Sequence, residues 1–581
     1  MRTLEPIHEC EDVEMRTKLS PASSYEGFFF SEAAARIMKD GAILPDRESP
    51  ATLLSDLIIE MTHAERRLGA TDRKTDQLIT NFYDYVRRGI CILGSPLLTN
   101  IGARHPVLAS CTAVPVSSHV SSTLDLSLAE TYYNLNMGSG YDLTMTADPC
   151  ETLLRLNAHA EKVEISGSCE RYVGNIAHVS IAHPRVLDFI SVKTRHSDIV
   201  HFNISVDVNH DFMNSVVRGG RFRTLDGIEQ PSIDVWEALV NSAWECGDPG
   251  IMSLERYNLG NALASHSPYV TTAPCAEVGL SPGEACVFGY INLAACLDGQ
   301  LGNNLNFDLL GDVAECLTRV LDDALELSIV GSPIALTSSV LKAKRKIGIS
   351  VCGLADVLLW LGVDYGSATS MALLRDVLAT VNYRSKLASV NLARERGSFG
   401  SFGRSTYVSD PSFLARFCNP ESRVTDEEWR RLANSAMKHG LRNVMTTALP
   451  PAGRSALLLG VNPSIEPYLT LRSHNGWVLP LKKHLEEGRA RMEEGTMRIN
   501  RRRAMWPCEA MSETSLFRTA TEMQVKDHLS ILKVAARLVD DGVSKTINLP
   551  HDTTRQEVSD LFLDAWNAGV KAISVFRNAA V

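Results

Sequence analysis

Lys346-Ile-Gly-Ile-Ser-Val-Cys-Gly-Leu-Ala-Asp-Val-Leu-Leu-Trp-Leu361 runs from a short apolar strand through Gly353 into a helix. Upstream, His201-Phe-Asn-Ile-Ser-Val-Asp-Val208 alternates as a strand does. From about residue 105 onward, short apolar runs of this kind alternate with helical patterns. Strands alternating with helices predict an α/β architecture with buried, mostly parallel strands. Composition alone leaves open whether the sheet is open or closed.

Working outward, residues 51–89 place apolar and charged residues at helical spacing, which predicts amphipathic helices. The first 50 residues carry Pro6, Pro21, Pro45 and Pro50 and read as irregular. The expected division is therefore an irregular segment over 1–50, a helical region over 51–105 and the α/β domain over 106–581. The last has room for a small inserted subdomain at about 370–440. Residues 475–505 are rich in Lys, Arg and Glu and read as an exposed helix and loop.

The 581 residues are 45% apolar and 22% charged, enough for a large buried core. A net charge of -10 gives no reason to expect nucleic-acid or anionic-membrane binding. Arg501-Arg502-Arg503 reads as solvated surface. The first sixteen residues lack the apolar segment of a secretory signal, and no apolar run is long enough to span a membrane. Thirteen scattered cysteines suit a reducing compartment. No zinc-type Cys/His spacing or P-loop motif occurs, so no metal and no cofactor are expected.

The stretch that carries chemistry is Ala273-Pro-Cys-Ala-Glu277, with Cys286 eleven residues after Cys275. Around it stand Ser95-Pro-Leu-Leu-Thr-Asn100, Ser110-Cys111, His183-Pro184, Asn203 with Asp211-Phe-Met213, and Gly247-Asp-Pro-Gly250. Further on come Gly353-Leu-Ala355, Arg442-Asn443, Glu466-Pro467, and Trp566 with Gly569 and Lys571. In this order, over about residues 85–577, the chain resembles ribonucleotide reductase large subunits. The resemblance implies a ten-stranded α/β barrel of two five-stranded parallel halves behind an N-terminal helical region. The radical cysteine would sit on a loop inside.

That family's reaction needs a thiyl radical to take the 3'-hydrogen of a ribonucleotide and a carboxylate to take the 3'-hydroxyl proton. It also needs an amide to hold the ribose hydroxyls and two thiols to supply electrons. By correspondence Cys275 is the thiyl position, Glu277 the base, and Cys111 with Cys286 the reducing pair. The family's amide position holds Ala273. Its C-terminal tyrosine pair, which brings the radical from a small subunit, corresponds to Ser574 and Val575. The family's tail cysteines find no counterpart, since the last cysteine is Cys508. The phosphate loop corresponds to Pro451-Ala-Gly-Arg-Ser455, where Arg454 and Ser455 could still attract an anion, with Ser95 and Ser110 near the substrate. The Gly-rich loop corresponds to Gly138-Ser-Gly-Tyr-Asp142, whose Asp142 would put negative charge near a phosphate.

This pattern of losses resembles the large-subunit-like proteins of betaherpesviruses. It implies a catalytically inactive homologue in which Cys275, Glu277, Cys111 and Cys286 are vestigial and persist through packing. Such a protein would act in the host cytoplasm and the virion tegument, through contacts with host signalling proteins or as a homodimer, without nucleic acid or membrane. Two other readings stay open. One is a nucleotide-binding subunit that partners a reductase. The other is an active reductase of the cobalamin-dependent kind, which needs no tyrosine pair.

Overall fold

The computed structural model describes residues 50–577 except 103–104, 106, 117–122, 170–173, 299–303, 411 and 470–517. The predicted irregular segment 1–50, apart from Pro50, lies outside the described residues, as do the charged stretch 475–505 and Cys508.

Two helices open the described chain, Pro50–Arg67 and Asp72–Arg87. The second buries Thr75, Leu78, Phe82 and Val86, the three- and four-residue steps that keep one face inward. The helices expected from the sequence over 51–89 are therefore present.

Ten strands form one sheet: β1 (Cys91–Leu93), β2 (Cys111–Ala113), β3 (Gly138–Asp142), β4 (Asn175–Ser180), β5 (Phe202–Asp207), β6 (Gly250–Met252), β7 (Ala285–Asn292), β8 (Ile347–Cys352), β9 (Thr546–Leu549) and β10 (Ala572–Arg577). Their order is β1-β7-β2-β3-β4-β5-β6-β10-β9, with β8 also on β7. Strands β2 to β6 pair in parallel throughout. The pairs β7–β8 and β9–β10 are parallel as well. Within this sheet, antiparallel pairing is confined to β1–β7, β7–β2 and β6–β10. The protein is thus a mixed α/β molecule with a mostly parallel sheet behind a helical N-terminal region.

The strands form where the sequence offers continuous apolar runs. All eight residues of β7 and all six of β8 are buried, as expected of strands covered on both faces. Gly353 has φ +78° at the passage from β8 into the helix Leu354–Leu361, a conformation that other residues adopt at a cost. Helix Phe307–Gly331 packs along helix Ala368–Arg396, and β7 lies beneath the former.

One element differs from its sequence reading. Gly138–Asp142 is not a loop but strand β3, inside the parallel sheet. Its glycines serve close packing: a Cβ on Gly140 would lie 2.1 Å from the Thr272 carbonyl oxygen.

Candidate active site

The turn Ala273–Glu277 is built mostly from backbone bonds. Ala276 N–H donates to Ala273 O at 2.9 Å, and Ala273 N–H donates to Val278 O at 2.9 Å. Three outside groups then hold the carbonyls of Pro274, Ala276 and Glu277. Asn203 Nδ2 of β5 donates to Pro274 O at 2.9 Å. The buried Tyr257 hydroxyl donates to Ala276 O in a short bond. Gly542 N–H donates to Glu277 O at 2.9 Å. Ala276 sits at φ +58°, a strained position for alanine that these contacts fix.

This places Cys275 exposed on a cavity of about 350 Å³. The cavity is lined by Asn203 and Ser205 of β5, the segment Cys246–Asp248, Ser544 to Thr546, and Ser574 to Phe576 of β10. Its wall is made of small groups. A Cβ on Gly250 would meet Ser205 Oγ at 3.1 Å, Ile573 O at 3.2 Å and Ser574 Cβ at 3.6 Å.

Glu277 is 3% exposed, and its Oε2 accepts the Cys275 N–H at 3.2 Å. Burial pushes its carboxyl up to about 7, with a smaller push from nearby Asp541 and an opposing pull from the backbone bonds. A carboxyl poised near neutrality beside an exposed thiol suits a general base.

The other two cysteines meet across strands. Cys111 opens β2 and Cys286 lies in β7, and they are register partners of an antiparallel pair. Partners of this kind project to one face with Cα atoms about 4.5–5.5 Å apart. Cys111 is half-buried, whereas Cys286 is fully buried and its thiol is pushed well up by burial. Cys111 lies close to the turn as well. A Cβ on Gly138 would be 3.1 Å from Cys111 Sγ and 3.0 Å from Pro274 Cγ. Both groups therefore border the space that this glycine leaves.

The remaining sequence candidates are distributed as follows. Ala273 is wholly buried and presents no polar side-chain atom. Ser574 and Val575 are on β10, opposite Thr546 and Ile547, and both border the cavity. Ser110 is buried and donates its N–H to Cys286 O at 2.9 Å. Ser95 opens the short helix Ser95–Asn100, half-buried. Ser455 is buried in the helix Gly453–Leu459 and donates its hydroxyl to Leu93 O at 3.1 Å; Arg454 beside it is half-buried. Asp142, at the end of β3, stands 3.9 Å from the ring of His178.

Three side chains escaped the sequence reading as site residues. Tyr290 shares a face of β7 with Cys286, four residues on, and its hydroxyl donates to Pro451 O at 3.0 Å. The period of two could have flagged it. Asn203 was legible as an anchor but not as a holder of the turn. Tyr257 gave no signal, because its bond is to a backbone carbonyl, which carries no side-chain pattern.

Residues 228–576 match the family model described as the ribonucleotide reductase barrel domain. A vitamin B12-dependent ribonucleoside-diphosphate reductase of Mycobacterium tuberculosis (strain ATCC 25618 / H37Rv) is 27% identical, over 98% of this chain and 81% of that protein. The protein of the same name from Thermoplasma acidophilum is 25% identical, over 83% of this chain and 63% of that one. The ribonucleoside-diphosphate reductase subunit alpha of Chlamydia pneumoniae is 23% identical over 63% of this chain.

These relatives overturn the expectation of an inactive betaherpesvirus-type homologue. They are named as reductases and come from bacteria and an archaeon, so host signalling partners, a virion and a host cytoplasm have no support. The expectation failed for a chemical reason. Ser574 and Val575 weigh against radical transfer from a small subunit, but not against a reductase that generates its radical in place.

Proposed function

Since the chain belongs to the ribonucleotide reductase barrel-domain family, we infer that it is an active, cobalamin-dependent ribonucleoside-diphosphate reductase. The observation that carries this is the turn itself: an exposed Cys275 on a cavity, with a buried carboxyl near neutrality bonded to its N–H. The barrel implied by the resemblance is supported by two isolated parallel bridges, Ile349 with Thr447 and Leu449 with Val543, which link β8 to the segment before β9.

The cavity fits a cofactor's adenosyl group. Its volume of about 350 Å³ is bordered by the small side chains of Ser205, Ser544 and Ser574, which leave the space open. Asn203, Ser574 and the rim residue Phe576 would hold that group. When bound, adenosylcobalamin supplies a radical able to take a hydrogen atom from a thiol.

The chain's own residues then divide the work. Cys275 takes the 3'-hydrogen of the ribonucleotide and later returns it. Glu277 takes the 3'-hydroxyl proton. Cys111 and Cys286 give two electrons and their protons and become a disulfide, while the 2'-hydroxyl leaves as water. An external dithiol restores the pair.

The test is turnover of labelled CDP by the purified chain with adenosylcobalamin and dithiothreitol. Formation of dCDP that disappears in Cys275→Ser is the expected result. A folded protein that binds the cofactor yet makes no dCDP would overturn the reading.

A further inference from the structure

We propose that the Asn203 carboxamide works on two sides: Nδ2 holds the Cys275 turn, and Oδ1 receives a ribose hydroxyl of the ligand in the cavity. The inference rests on the reductase reading above and adds a residue to it.

Asn203 sits on β5 between Phe202 and Ile204, each 1% exposed, yet is itself exposed and lines the cavity. Its register partner on β4, Ile176, lines the same cavity, so the side chain is on the inner face. A carboxamide carries two donor hydrogens and an acceptor oxygen with two lone pairs. One donor is spent on Pro274 O. Among the described residues no donor is bonded to Oδ1. An acceptor oxygen on a cavity-lining side chain that is anchored through its other polar atom is preorganised.

The charged groups and the second thiol on the cavity wall are already committed. Asp248 accepts from Lys193 Nζ at 2.8 Å and from Ile204 N–H. Lys545 Nζ is bonded to Glu466 and lies 3.3 Å from His528 Nδ1. The Cys246 thiol turns to the carbonyls of Ser242 and Asp248. Ala273 offers nothing polar. Asn203 therefore brings a side-chain amide to this turn from a different strand. Because its other end grips the peptide next to Cys275, a ligand bound to Oδ1 is tied to the position of the thiol.

The hydroxyl could belong to the cofactor's adenosyl group or to the substrate nucleotide. Calorimetric titration of the full chain separates them, with adenosine against 2',3'-dideoxyadenosine and CDP against 2',3'-dideoxy-CDP. Wild type should prefer the hydroxylated member of one pair by about tenfold. Asn203→Ala should erase that preference, and Asn203→Asp, which keeps an acceptor oxygen, should retain it. Carbamidomethylation of Cys275, timed against Cys246 as internal reference, should change in both variants, since both lose the donor to Pro274 O. A merely structural role would leave the hydroxyl preference intact.

An unchanged preference in Asn203→Ala overturns the proposal, as does its absence from wild type. Should the alanine variant not fold, loss of the preference in Asn203→Asp overturns it and retention supports it. Wild type that makes dCDP but shows no hydroxyl preference sinks this inference alone. Wild type that binds no riboside and makes no dCDP sinks the reductase reading with it.

Discussion

At the scale of single residues, the proposed chemistry depends on a carboxyl that burial, with a smaller push from Asp541, brings near neutrality. Glu277 is buried, with its carboxyl at about 7, and it must be ionised to accept a proton. CDP reduction should therefore rise as pH passes through about 7, and Glu277→Gln should lower turnover roughly 100-fold to 10,000-fold. A pH profile that is the same for wild type and Glu277→Gln would remove the glutamate from the reaction. The same shift has a sign for stability. Folding raises this pKa above the ordinary 4.5, so the folded state favours the protonated form. Its contribution is fully present below that value and is lost as pH rises through about 7. Glu277→Gln should flatten that part of the stability curve, which denaturant titration at several pH values can measure.

At the scale of elements, the register between β2 and β7 decides whether two cysteines can react. A slip of one residue would turn one thiol to the other face. The observed partnership of Cys111 with Cys286 puts them within disulfide range. A single turnover without dithiol should yield about one dCDP per chain and a Cys111–Cys286 disulfide by peptide mapping. Recovery of both cysteines as thiols after turnover would refute this pairing. The turn depends on Gly542 just as closely. A Cβ there would come 2.4 Å from Ala276 O and 2.9 Å from Glu277 O. Gly542→Ala should cost about 1–3 kcal/mol of stability and displace Cys275. A variant with wild-type melting and turnover would show that the turn can move without cost.

At the scale of the whole molecule, a buried ion network ties the N-terminal helices to the α/β body. Glu65 of helix Pro50–Arg67 pairs with Arg319 and Arg396. Arg396 also reaches Asp322 at 3.0 Å and Asp323 at 2.7 Å. Arg345 and Arg442 converge on Asp322, which is 0% exposed. Burial opposes ionisation of Asp322, but the three guanidiniums outweigh it and hold the carboxyl well below the usual range. Its stabilisation is therefore present above the ordinary carboxylate pKa and lost as pH falls below it. Asp322→Ala would leave three buried cations short of a partner and should cost about 3–5 kcal/mol. Thermal melting at pH 7 checks this, and a fall of less than about 1 kcal/mol would show that the network relaxes around the gap.

The sequence by itself determined the kinds of element and their places. The run Lys346–Leu361 specified strand, glycine and helix because burial and backbone conformation there are local matters. It also marked Cys275, Glu277, Cys111 and Cys286, through their correspondence to positions of the ribonucleotide reductase large subunits that the chain resembles. What it could not decide was the meaning of the absences. Ala273, Ser574 and Val575 read as lost function, since a sequence shows which side chain is missing but not which other group is brought near in its place. Tertiary structure put Asn203 from β5 and Tyr257 from a separate helix onto the turn's carbonyls, and left a cavity beside Ser574. It also turned Gly138–Asp142 from an expected loop into a strand, since glycines there make room for the Thr272 backbone and for Cys111. These contacts join residues tens to hundreds of positions apart. They depend on how the strands are ordered around the turn, which no local pattern of apolar and polar residues encodes.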